Sequence, residues 1–353
     1  MIQYPTTPVP ATLIRGDGIG PEIMDATLAV LDALGAPFAW EIHKAGMEAM
    51  QAFGDPLPAS TLESIRRTRL ALKGPIAMVA GSDVASVNER LRAEFKLFAN
   101  VRPVRSLVPG GRFDDVDLIM VRENTEGLYV GYEHYVPIDD DPAAVAEAVA
   151  IITRSGCRRI AQFTFDYAIK HGRKKVTIVN KANILKKLTG LFLDTALEVG
   201  RRYHERLQVD DRIVDDCAMQ LVIDPGRFDV ILTTNMFGNI LSDEIAGLAG
   251  GRRLASSGHI GTDIAIFEGA HGSAPNIAGQ GIANPIAQML AAAMMLEHVG
   301  RPEPARRLRV ALERVLREDS VKTRDLGGTA STAQFTEAVI RRIRESAAVT
   351  SPP

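Results

Sequence analysis

A chain of 353 residues has room for two domains and an ample core. Its 46% hydrophobic and 24% charged content is ordinary for a globular protein in water. A formal net charge of -2 gives no footing for nucleic-acid or membrane-surface binding, and two cysteines, Cys157 and Cys217, exclude a disulfide framework and any CxxC motif.

Two free thiols fit a reducing compartment. The first residues show no basic stretch followed by an apolar run, so a cytoplasmic location is expected. The longest apolar helix, 286–296, is too short to span a bilayer. Arg-Arg pairs at 66–67, 201–202 and 341–342 read as solvated helix faces.

Strand and helix signals alternate between a Pro-rich start and an Ala/Ser/Pro-rich tail, which predicts an α/β architecture. Residues 11–15 read as a strand, followed by a Gly-rich turn and a helix over 21–34. Residues 70–73 are a short strand. Ser86-Val-Asn-Glu89 matches a capping box and opens a helix to about 97. Residues 117–122 are a strand; 128–137 and 148–153 have the look of extended arms. Then come a strand at 175–180, a helix at 184–199, a strand at 228–233 and a helix at 240–250. Helices near 284–298, 303–317 and 332–345 close the chain. The Ala-Asn-Val-Arg-Pro segment at 99–103 is a plausible crossing between domains, and Gly250-Gly251 a plausible return.

Three arginines, Arg92, Arg102 and Arg122, sit in otherwise apolar surroundings. Forks of fixed donors bind carboxylates bidentately, so several of them point to a small polyanionic acid. Ser86, Asn88 and Arg92 share the start of one helix, where Ser86 could also serve only as a cap. Asn239 and Asp243 are four apart on one helix face; with Asp215 they offer the oxygen donors that Mg²⁺ or Mn²⁺ prefers. Gly16-Asp-Gly-Ile-Gly-Pro-Glu22 superficially matches a dinucleotide fingerprint but lacks the third glycine, and Pro21 at a helix N1 position accounts for much of it as a tight turn. The loop from Glu268 through His271-Gly-Ser-Ala-Pro-Asn-Ile-Ala-Gly279 is long and built of small residues, which lets a flat ligand approach the backbone.

These motifs, in this order, resemble the metal-dependent β-decarboxylating dehydrogenases, the isocitrate/isopropylmalate dehydrogenase family. The resemblance runs from Leu13 to about Ile340, through GDGIGPE (16–22), ANVRP (99–103), VRENTEG (121–127), NKANI (180–184), NMFGNILSDE (235–244) and HGSAPNIAGQGIANP (271–285). It implies a fold of its own, not a Rossmann fold. A discontinuous large domain, 1–98 plus 255–353, would carry the cofactor, and a smaller domain, 99–254, the clasp and dimer interface. It implies a homodimer with shared active sites, Lys181 and Asp215 coming from the neighbour of the subunit that supplies Tyr129, Asn239 and Asp243.

Carried over, Ser86, Asn88, Arg92, Arg102 and Arg122 bind substrate. Tyr129 and Lys181 transfer protons, and Asp215, Asp243 and Asn239 hold Mg²⁺ or Mn²⁺, with Asp215 preferred to Asp216. His271, Gly272, Ser273, Ala274, Asn276, Ile277 and Asn284 bind NAD. Ser86-Val-Asn88 resembles the isocitrate pattern, so the expected reaction is oxidation and decarboxylation of isocitrate to 2-oxoglutarate. Glu89 and Arg90 leave room for homoisocitrate, isopropylmalate or another 2-hydroxy acid. Asn276-Ile277 supplies no cation for a 2'-phosphate, which favours NAD. Asn239 replaces the usual Asp, Met78 a usual Thr, and Arg252-Arg253 a small or apolar pair. Asn239 also occurs in non-catalytic regulatory subunits, a second alternative.

Overall fold

The computed structural model describes residues 7–77, 86–108 and 112–350, the last four as backbone only. Met78 and the outermost residues of both ends lie outside them. The chain begins with β1 (Val9–Ile14), α1 (Gly20–Ala33), β2 (Phe38–His43), α2 (Met47–Phe53), α3 (Ala59–Thr68), β3 (Leu70–Lys73) and α4 (Val87–Glu94). It continues through β4 (Ala99–Arg105), β5 (Asp117–Glu123), β6 (Gly127–Ile138), β7 (Asp141–Ile151), α5 (Arg154–Lys170), β8 (Lys175–Asn180) and α6 (Leu188–Gly200). Next come β9 (Gln208–Ile213), α7 (Val214–Ile223), β10 (Val230–Thr233) and α8 (Asn235–Leu248). It ends with β11 (Ser256–Ile260), β12 (Ala265–Gly269), α9 (Ile286–His298), α10 (Pro302–Arg317) and α11 (Thr332–Thr350). The α/β class is as the alternation implied.

Two compact units result. Unit one is Met1–Phe95, Ser106–Asp114 and Ala249–Pro353; unit two is Lys96–Arg105 and Asp115–Leu248. The return to unit one over 106–114 had no signal in the sequence.

In unit one the strand order is β2-β1-β3-β12-β11, parallel except for β11 against β12. β1 and β3 are near-continuous apolar runs because helices cover both faces of a parallel sheet. α9 is buried almost all round; its run of alanines lets it lie close on β11 and β12. α10 is amphipathic, with Leu308, Leu312, Val315 and Leu316 inward and arginines outward.

Unit two repeats the scheme with order β4-β5-β10-β8-β9, parallel except for β4 against β5. From it projects the β6–β7 hairpin, turned at Asp139-Asp140 with Asp139 at φ 49°. Its second strand begins at Asp141, earlier than the sequence implied.

Several helix bounds also differ: α11 runs to Thr350 rather than 345, and three others differ for visible reasons. The helix after Ser86 stops at Glu94, because Lys96 takes a left-handed φ of 46°. The helix expected from 184 starts at Leu188: Asn180 Oδ1 accepts from Ala182 N (2.9 Å) and holds the chain in a turn first. α8 starts at Asn235, ahead of the weak helix formers Gly238 and Asn239.

The parallel register puts Glu268 beside Lys73 at the carboxyl ends of β12 and β3. Lys73 is 1% exposed, and its ammonium binds the Glu268 carboxylate and donates to the Gly74 carbonyl (3.1 Å). His259 Nε2 lies 2.8 Å from Glu268 Oε1. Gln288 on α9 donates to the Lys73 carbonyl (3.2 Å) and accepts from Gly269 N (3.1 Å), tying the two strand ends together. Burial alone would raise the Glu268 pKa; the Lys73 charge and the His259 hydrogen bond overcome it and hold the carboxyl well below the usual carboxylate range. Its contribution is therefore complete above the ordinary carboxylate pKa of about 4.3 and lost as pH falls through the depressed folded value. Glu268→Gln leaves Lys73 buried without its anion and is expected to cost about 3–5 kcal/mol near pH 7. Urea denaturation of both chains at several pH values checks this, the gap narrowing below about pH 4.

Candidate active site

In unit one, the loops after β1, β3 and β12 leave the same edge of the sheet, the edge where open α/β sheets bind ligands. They are knitted together by backbone. Asp17 N donates to Pro75 O (2.7 Å) and Ile19 N to Ser273 O (2.8 Å). A Cβ at Gly16 would lie 2.3 Å from Pro75 O, and one at Gly18 2.0 Å from Ser273 O. Both glycines have positive φ. The Gly-rich segment is thus required by loop-against-loop packing, which favours the tight-turn reading over a phosphate cradle.

The loop 271–285 is held from within as well. The His271 ring faces Gly272 O through Nδ1 (3.0 Å), and burial lowers its pKa, so the neutral imidazole carries its proton on Nδ1. Nε2 is then an acceptor, and it is buried without a partner among the described residues. Ala274 takes a left-handed φ of 39°. Ile277 packs on Ile19, Ile23 and Ala283, while Asn276 is exposed. Asn284 donates to Asp325 Oδ2 (3.0 Å) and accepts from Ile286 N (2.9 Å), capping α9. Arg253 lies 3.7 Å from the same Asp325 carboxylate. Gly272 and Ser273 complete the loop's mouth, Ser273 through the carbonyl that receives Ile19.

The capping box at α4 is complete: Glu89 N donates to Ser86 Oγ (3.2 Å) and Ser86 N to Glu89 Oε2 (2.8 Å). Arg90 pairs with Asp55 at 2.7 Å. The polar Glu89-Arg90 pair therefore has structural employment. Asn88 Oδ1 and Arg92 Nε, on the next turn, are buried and without partners among the described residues. Such atoms are costly unless a ligand answers them.

In unit two, Arg122 is 1% exposed on β5. Its Nε and Nη2 donate to Asn235 Oδ1 (2.9 and 2.5 Å) and its Nη1 to Asn239 Oδ1 (2.6 Å). Its Cζ lies 5.2 Å from the centre of the Tyr129 ring. Gly238 makes this possible: a Cβ there would come 2.7 Å from the Arg122 side chain. Arg102 donates to Asn100 Oδ1 (2.8 Å) and Ser242 Oγ (3.0 Å), and lies 3.8 Å from Asp243. So β4, β5, β6 and α8 gather Arg102, Arg122, Tyr129, Asn239 and Asp243. Asn100, Asn235 and Ser242 are partners that sequence reasoning missed; all three lie inside the quoted motifs, and that position was the available signal.

Lys181, just past β8, makes a separate pair with Asp215 in the first turn of α7 (2.5 Å). The Lys181 hydrogen bond lowers the Asp215 pKa. Asp216 pairs instead with Arg212 (3.1 Å). Among the described residues no three His, Cys, Asp or Glu side chains sit within reach of one metal ion. The oxygen donors Asp215, Asp243 and Asn239 suit a hard cation chemically. The Asn239 carbonyl, however, is already an acceptor for Arg122.

The chain matches the isocitrate/isopropylmalate dehydrogenase family model over residues 11–339. It is 45% identical to the mitochondrial isocitrate dehydrogenase (NAD) catalytic subunit 5 of Arabidopsis thaliana, over 95% of this chain and 88% of that one. It is 46% identical to the 3-isopropylmalate dehydrogenase of Archaeoglobus fulgidus, over 93% of this chain and 97% of that one. The crystal structure of isocitrate dehydrogenase from Methylococcus capsulatus superposes with a TM-score of 0.89 at 50% identity, covering 95% of this chain and 99% of that one. This chain belongs to the isocitrate/isopropylmalate dehydrogenase family and is an enzyme of that family.

Proposed function

We propose that the chain is an NAD-dependent isocitrate dehydrogenase that forms 2-oxoglutarate and CO₂. The observation that carries this reading is Arg92 Nε, a buried donor with no acceptor among the described residues, one turn from Asn88 on the helix that Ser86 caps. A third carboxylate would accept from the Arg92 guanidinium and from the Ser86 hydroxyl; Asn88 Oδ1 is itself an acceptor, so only that amide's Nδ2 could meet the carboxylate. A branched alkyl group leaves them unpaired, and a site built for hydrogen bonds discriminates strongly against a ligand lacking them.

Arg102 and Arg122 would grip the carboxylates of the malate core. A neutral Lys181 amine would take the hydroxyl proton at Nζ as the carbonyl forms, and the Tyr129 hydroxyl would return a proton to the carbon that loses CO₂. The Arg122 guanidinium against the Tyr129 ring fixes that phenol's place. NAD, when bound, accepts the hydride. The neutral His271, with Nε2 as acceptor, suits the amino group of an adenine. Asp243 and Asn239 of one copy and Asp215 of a second would hold Mg²⁺ or Mn²⁺, which supplies Lewis-acid polarisation of the substrate hydroxyl.

A second copy has support in the surface. The β6–β7 hairpin is a two-stranded ribbon, marginal in water by itself. Tyr132, Tyr135, Ile138 and Val149 on it are more than half exposed, as are Ile184 and Ile223 elsewhere in unit two. Apolar exposure on this scale marks an interaction surface. The buried free thiols support the expected cytoplasmic setting, although the plant relative is named mitochondrial.

With Mn²⁺ and NAD, the purified chain is expected to turn over isocitrate at least about tenfold better, in kcat/KM, than isopropylmalate or homoisocitrate. Preference for either of those moves the substrate, and no turnover of any points to a regulatory subunit. Light scattering should give the mass of two chains. Tyr132→Asp with Val149→Asp, a facing cross-strand pair, should give one chain and no turnover. Asn239→Asp adds a charge to the proposed metal shell and is expected to tighten Mn²⁺ binding by roughly tenfold, about 1.4 kcal/mol. Unchanged Mn²⁺ dependence would remove Asn239 from that shell and leave it to Arg122 alone.

A further inference from the structure

We propose that the Gly16–Glu22 segment is a keystone for the 271–285 loop, with Glu22 as the positioning residue that presents this loop to its ligand; this rests on reading the loop as the dinucleotide site. Glu22 lies in the first turn of α1, and its carboxylate is aimed at another part of the chain. Oε2 accepts from Gly281 N (3.2 Å) and Oε1 from Ala283 N (3.0 Å). The Thr332 hydroxyl, at the start of α11, shares its single proton between Glu22 Oε1 and Ala283 O (2.7 Å), and Thr332 N donates to Gly281 O (2.9 Å). The far end of the loop is thereby stapled between two helix starts.

The near end is pinned by the same segment, through Ile19 N to Ser273 O (2.8 Å) across the gap that Gly18 leaves open. Between the pins, Ala274 and Ile277 pack on Ile19, Ile23 and Ala283. What stays outside is the stretch with Asn276 and Gln280, turned by Gly279 and Gly281 at φ 72° and 68°. A carboxylate facing backbone N–H groups of a loop would repel a phosphate, so the motif's acid argues for holding the loop. Ordering a loop of this length on binding costs entropy; holding it in place beforehand returns that cost as affinity.

The test uses the full chain with NAD alone as probe. Amide exchange at Gly281 and Ala283 should be slow in the wild type and fast in Glu22→Ala. By calorimetry, Glu22→Ala should weaken NAD binding about tenfold, with kcat at saturating NAD within about twofold of wild type. Glu22→Gln, which keeps one acceptor, should recover part of the loss. If Glu22→Ala does not fold, Thr332→Val removes one leg of the staple and should give the same pattern at smaller amplitude. Fast exchange with unchanged NAD affinity overturns the proposal, as does unchanged exchange. A wild-type chain that binds no NAD overturns the dinucleotide reading itself, and is distinguished by leaving the exchange contrast at 281 and 283 intact.

Discussion

A buried guanidinium must have its N–H groups answered, and the way Arg122 is answered decides what the residues around it are allowed to be. The fork on β5 reaches two amides on α8, Asn235 and Asn239, four apart and therefore on one helix face. The helix must come close for this, so Gly238 lies between them with no room for a Cβ. The Tyr129 ring then rests on the guanidinium. The site proposed for a polyanionic acid is thus built around a cation locked by neutral amides.

Unit one solves a similar problem with opposite charges. Lys73 and Glu268 become neighbours through parallel register, His259 bonds the Glu268 carboxylate, and Gln288 bonds the Lys73 backbone carbonyl. An ion pair so deeply buried is poor evidence of net stability, since apolar side chains of like volume would do as well. Its position is more telling. It sits where β3 and β12 give way to the Gly74-Pro75 turn and the 271–285 loop, so the loops start from a floor that cannot shift without exposing a charge. Arg122 and the Lys73–Glu268 pair both fix loop or helix starts at strand ends, the places where α/β enzymes put their chemistry.

Much of this was legible in the sequence. Strands 70–73 and 175–180 have the observed bounds, because apolar runs flanked by Gly, Pro and Asn leave little choice. The capping box at Ser86 formed with both its bonds. The family was readable from six motifs in register. The misses have physical causes. β9 and β11 are short and carry no clean alternation, and α8 opens with residues of low helix propensity whose cost Arg122 offsets. Asn239 reads from sequence as a weakened metal ligand; only the geometry reveals its bond to Arg122. The Glu22 staple joins residues about three hundred positions apart, a pairing that no local pattern encodes.

The comparison with relatives sharpens where specificity must reside. An isocitrate and an isopropylmalate dehydrogenase lie at 45% and 46% identity to this chain, so overall likeness does not choose the acid. The arginines proposed for the malate core are on sheet strands, held by partners that leave them little freedom. The groups proposed for the variable substituent are on the short helix α4, where Ser86 is tied by its cap while Asn88 in the first turn and Arg92 in the last keep unanswered atoms. On that proposal, the choice of substrate rests with one short helix while the strand-borne grip stays fixed. In this chain that helix is polar, and its polarity, more than overall identity, is the reason to favour an acid with a third carboxylate.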